Sequence, residues 1–156
     1  MNIKHIFRAR YVILLILAIF LWQNLFCHDY NLFRFKMEFM RITHPPETVL
    51  ISRISEVGLL AANGDHCDYL VGEVRGYNCS KQQVVEYYRK MHVYNEMQHK
   101  YEDVEIVFFD EEKENLINEQ YIPDPILDLL HSDYGKKYVV YIFDGGYGAG
   151  IDIRCL

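Results

Sequence analysis

The sequence predicts an α+β domain carried behind a single N-terminal transmembrane helix, and three observations predict it. An apolar run follows a basic flank, β-prone segments recur through the remainder, and one segment among them has helical periodicity. The expected body is a small, mostly antiparallel sheet of about five or six strands, with one main amphipathic helix (81–98) packed on it. The expected division is a cytoplasmic basic flank (1–10), a transmembrane signal anchor (11–27), a juxtamembrane segment or first strand (28–46), and an extracytoplasmic α+β domain (47–156).

The leader holds Lys4, Arg8 and Arg10 and no acid, and its run from Tyr11 to Phe26 is broken only by Gln23 and Asn24. Sixteen residues at helical rise give about 24 Å, slightly short of a hydrocarbon core of about 30 Å. Tyr11 and Trp22 lie near its ends, where interfacial aromatics belong, and the basic flank stays cytoplasmic. A cleaved signal would show small residues before the cut, and Trp22–Cys27 shows none. Phe26 is too bulky to precede a lipid-modified Cys27. A signal anchor at the cell membrane is therefore expected, with the body outside the cytoplasm (periplasmic in a Gram-negative cell).

All 22 acids follow Cys27 together with 13 Lys/Arg, so the body carries −9 and the leader +3. An acidic body argues against nucleic acid as a partner, because phosphate binding needs basic patches. Disulfides persist outside the cytoplasm. Cys67 and Cys79 stand too far apart along an extended strand to bridge, so Cys67 with Cys155 is the favoured pair. The competing expectation is that every cysteine is a reduced, buried apolar side chain.

Element by element, Phe33, Phe35, Met37 and Phe39 alternate with charged residues and predict a half-buried strand, ended by Pro45-Pro46. Thr48–Leu60 predicts a strand, Asn63-Gly64 a hairpin turn, and His66–Tyr77 the return strand. Ser80 and Gln83 form a capping box before Val84, Tyr87, Tyr88, Met91, Tyr94 and Met97, whose spacing predicts the helix over 81–98. Asp103–Phe109 predicts a strand, Asp110–Glu119 a solvated loop or short helix, and Ile126–Leu130 a helical turn or two. Tyr138–Phe143 predicts a strand, Gly145–Gly150 a bulged turn, and Ile151–Leu156 a short last strand.

No complete catalytic or cofactor motif is present. Asp65-His66-Cys67-Asp68 is the densest polar cluster, but neighbours on a strand point to opposite faces, so His66 does not serve Cys67 as a base. His66 and Asp68 share a face and supply two metal ligands, where zinc wants three or four. The glycine-rich loop is followed by no helix, which removes the phosphate-binding reading. Asp144 and Asp152 flank it and form a carboxylate pair if they meet. His44, before Pro45-Pro46, reads as a spacer. Tyrosine clusters at Tyr87, Tyr88 and Tyr94 and at Tyr138, Tyr141 and Tyr147 suit an interface or a core.

These observations favour a non-enzymatic envelope protein that binds another envelope protein or supports an envelope complex, with lipid contact through residues 11–27 and no cofactor or committed metal. The alternative is a small hydrolase or metal-dependent enzyme using His66, Asp68, Asp144 and Asp152. That alternative requires the four side chains to converge in one pocket.

Overall fold

The computed structural model describes residues 3–60, 64, 66–109, 123–130, 136–150 and 152–155. The chain runs α1 (Ile3–Phe39), β1 (Thr48–Gly58), β2 (His66–Tyr77), α2 (Lys81–Tyr88), β3 (His92–Asn95), β4 (Lys100–Asp103), β5 (Glu105–Phe108), α3 (Asp124–Leu130), β6 (Lys137–Gly148) and a 3-10 turn (Ile153–Cys155). Four strands form one antiparallel sheet in the order β1-β2-β6-β5, and β3 with β4 makes a separate hairpin. The α+β class and the antiparallel pairing stand as expected, but among the described residues the main sheet has four strands rather than five or six, because β3 and β4 pair only with each other.

The sheet is covered on both faces, which is why its two central strands are buried almost throughout. On one face Tyr69, Val71, Tyr77, Tyr138 and Val140 pack with Phe35 and Phe39 of α1 and Val84 and Tyr88 of α2. On the other, Leu70, Val74, Val139 and Tyr141 pack with Ile54, Phe109 and Ile126 of α3. Gly72 lies where β2 and β6 come closest: a Cβ there would meet Tyr141 Cβ and the Val140 carbonyl oxygen, each at 2.7 Å.

Several expectations need correction. The transmembrane helix over 11–27 is not found: among the described residues no helix is long and apolar enough to cross a membrane. The apolar run is short for the purpose, and α1 does not stop at its end. It continues through His28 into the body, where Phe35 and Phe39 are fully buried. The expected strand at Phe33–Phe39 is accordingly the end of this helix. The stripe His28, Leu32, Phe35, Phe39 has helical spacing and faces the sheet, while Phe33 and Met37 are exposed.

The helix over 81–98 is also too long. The capping box of Ser80 and Gln83 forms, but α2 ends at Tyr88 and β3 begins at His92. Val93 and Asn95 both turn inward, which is period two; on a helix they would lie on opposite sides. The last strand expected at Ile151–Leu156 is a 3-10 turn, and β6 extends through the glycines as far as Gly148. Gly64 has φ +111° at the β1–β2 turn, where Asn63 and Asp65 lie outside the described residues. The loop expected at Asp110–Glu119 lies outside them too.

Candidate functional site

Where α1 enters the body, three elements bring one group of side chains together. His28 comes from α1, Cys67 from β2, and Asp152 and Cys155 from the 3-10 turn and its approach. All four are buried, and one potential ligand atom from each lies within 4.8 Å of the others. The sulfurs of Cys67 and Cys155 are at disulfide distance, with Cα atoms 4.8 Å apart, as the spacing argument favoured. His28 Nδ1 pairs with the Tyr69 hydroxyl at 2.6 Å, and Asn31 donates to the same oxygen at 3.4 Å. Arg154 holds the Asp152 carboxylate from Nε at 2.9 Å and from Nη2 at 2.6 Å, and reaches Asp29 on α1 at 2.7 Å.

Electrostatics follow from that packing. The Arg154 hydrogen bonds hold the Asp152 carboxyl below its usual range, and Asp152 in return raises Arg154. Burial pushes the Tyr69 hydroxyl up to about 12, so it stays a neutral hydrogen-bonding group. A cavity of about 350 Å³ adjoins, lined by Cys27, His28, Asn31, Tyr69, Tyr147, Gly148 and Gly150.

The four residues of the enzyme alternative belong to three different places. Asp68 is fully buried; it accepts from the Leu60 and Gly146 amides at 3.1 and 3.2 Å and lies 3.2 Å from His66 Nε2. It thus ties β1 to the glycine-rich end of β6. Asp144 faces the β3–β4 hairpin, where Asn95 Nδ2 and Lys100 Nζ donate to it at 2.6 and 3.0 Å and Tyr147 also donates. Burial opposes charge on Lys100, but its bonds to Asp144 and Glu102 outweigh this and hold its pKa above the usual value. Asp152 belongs with His28 and the cysteines, and the 350 Å³ cavity is lined by none of the four. Asp144 and Asp152 therefore each have their own cation rather than a shared proton.

Sequence reasoning missed a second buried polar assembly. Glu73 on β2 pairs with Arg75, with Arg53 Nε at 3.3 Å and with His44 Nε2 at 3.4 Å. His44 Nδ1 pairs with the Tyr88 hydroxyl at 2.7 Å, and Tyr88 with that of Tyr138 at 3.1 Å. Arg75 Nε donates to Thr48 Oγ1 at 3.2 Å. Burial, reinforced by the Arg75 charge, lowers the pKa of His44; burial and the Tyr138 hydrogen bond raise that of Tyr88. His44 is thus a connector between sheet and helix rather than a spacer. The available signal was Glu73 and Arg75 between Val71 and Tyr77 on one face of a stretch, Tyr69–Tyr77, that is otherwise apolar.

No family model, curated protein or solved structure matches this chain. The Glu73 assembly is saturated by its own partners, whereas the His28 group combines nitrogen, sulfur and carboxylate donors next to a cavity.

Proposed function

We propose that this is a lipid-associated envelope protein whose α+β body binds another protein or supports an envelope complex. The observation that carries the reading is the division of α1. Residues 11–20 are exposed on every side, Tyr11 by 70% and Leu15 by 61%, while Phe35 and Phe39 of the same helix are core. So large an exposed apolar patch marks a surface that leaves water on meeting a partner. Its aromatic Tyr11 and Trp22 and its basic flank suit a lipid interface. The reading needs these side chains to enter lipid, and needs no crossing. A Cys67–Cys155 bridge suits an extracytoplasmic position. A tether of this kind raises the body's effective concentration for other membrane proteins.

The test is flotation of the full chain with liposomes, followed by capture from a mild detergent extract. The chain is expected to float, and Leu14→Glu with Leu17→Glu to leave it in the bottom fraction with an unchanged circular dichroism spectrum. Floating of that double variant as well would sink the lipid reading. Concentration-dependent self-association without lipid would assign the apolar segment to a second copy instead. Recovery of the protein alone from the extract would count against the binding role.

A further inference from the structure

We propose that His28, Cys67, Asp152 and Cys155 form a zinc site that exchanges with the Cys67–Cys155 disulfide. The donors are two thiolates, one imidazole and one carboxylate, a set and a number that tetrahedral zinc takes. Bond lengths of about 2.0–2.3 Å place tetrahedral ligand atoms about 3.3–3.8 Å apart. The group already lies within 4.8 Å, so its widest separations need to close by only about 1–1.5 Å once the sulfurs part.

The surroundings fit the ion. His28 Nδ1 pairs with Tyr69, and with the proton on Nδ1 the imidazole presents Nε2 as its ligand atom. Arg154 anchors Asp152 and supplies the outer support that metal-bound carboxylates ordinarily have. Charge also balances in both states. With the disulfide, Asp152 is offset by Arg154; with Zn²⁺ and two thiolates added, the metal and the sulfurs cancel and the same pair remains. The exchange leaves no extra charge buried, which is the term that would otherwise oppose it. Of the four, His28 also lines the adjoining cavity, which puts one ligand at the edge of open space.

The step is a two-electron reduction. A dithiol reductant attacks the bridge, is itself oxidised to a disulfide, and leaves Cys67 and Cys155 as thiols. Zinc then displaces one proton from each and binds both sulfurs. A disulfide oxidant reverses the step: it takes the two electrons through thiol–disulfide exchange, is itself reduced to a dithiol, re-forms the Cys67–Cys155 bond and releases the ion. The inference is independent of the lipid reading, because it concerns the body alone.

The experiment uses the full chain in mild detergent, on a Cys27→Ser/Cys79→Ser background so that only Cys67 and Cys155 can supply thiolate. The protein is reduced with a phosphine, desalted anaerobically and titrated with Co²⁺, then Zn²⁺. The expected result is one cobalt per chain, with thiolate charge-transfer absorption and the visible bands of tetrahedral cobalt, both removed by one equivalent of zinc. Oxidised protein and a Cys67→Ser variant should show neither. His28→Gln and Asp152→Asn should each weaken binding more than tenfold. Absence of the bands in reduced protein, or equal bands in oxidised protein, overturns the proposal. Undiminished affinity in both ligand variants overturns the four-residue assignment. Should reduction unfold the chain, zinc must restore its circular dichroism spectrum; failure to do so also overturns the proposal.

Discussion

Glu73 illustrates how one residue organises the interior of a sheet. Its carboxylate is buried and answers two arginines, so it neutralises charge that β1 and β2 bring inward, and it lies 3.4 Å from His44 Nε2. Removing one partner of such a set leaves buried charge without compensation, which costs about 3–5 kcal/mol. Glu73→Gln should therefore lower the urea midpoint strongly, and Arg53→Ala, at a half-exposed guanidinium, by much less. Equal losses would deny Glu73 its central place. His44 adds a pH dependence. Its folded pKa is lowered, chiefly by burial and then by Arg75, so the unfolded chain takes up the proton first. The contribution is complete above the unfolded histidine value of about 6.5 and is lost as pH falls through the lower folded value. Unfolding midpoints should fall between pH 7 and pH 5, and His44→Gln should shrink that fall. An identical fall in the variant would remove His44 as its source.

Elements differ in how far local sequence determines them. The capping box of α2 is a local device and was legible, since Ser80 and Gln83 need only each other. Ser80→Ala should cost about 1 kcal/mol, read as a fall in thermal midpoint. Where α2 ends was not legible. No Gly or Pro separates Tyr88 from His92, and the stripe through Met91, Tyr94 and Met97 continues in register. What ends the helix is distant: Asn95 turns inward to Asp144, forty-nine positions along the chain, while its side-chain oxygen accepts from the amides of Met97 and Gln98. The same holds for α1, where Phe33 to Phe39 fit period two and His28 to Phe39 fit a helix, and only the sheet decides between them. The candidate site was half legible, because Cys67 with Cys155 follows from spacing while His28 joins them only through packing. Close packing of β2 on β6 gives the sharpest test at this scale. Gly72→Ala places a Cβ against backbone and Cβ atoms that cannot rotate away, and should destabilise by about 2 kcal/mol or more. A neutral Gly72→Ala would show that the two strands separate more easily than their pairing implies.

For the whole molecule, α1 and the Cys67–Cys155 pair act on the same corner. The pair is separated by 88 positions, so its closure constrains most of the unfolded body, worth about 3–5 kcal/mol in chain entropy. Arg154, next to Cys155, reaches Asp29 on α1, and His28 of α1 reaches Tyr69 on β2. The helix is thereby joined to the sheet as a continuous rod of 37 residues, about 55 Å long, rather than through a hinge. Its two halves should then differ sharply in amide exchange. Residues 30–39 should exchange only as the body unfolds, because Phe35 and Phe39 cannot leave the core separately. Residues 11–20 have no such cover and should exchange far faster in lipid-free solution, then become protected when liposomes are added. Measured by mass spectrometry, protection of 11–20 that ignores lipid would show that something other than a bilayer surface covers the segment. Fast exchange at 30–39 in the folded protein would show that the rod breaks where it meets the sheet, so that the exposed apolar segment and the body move independently.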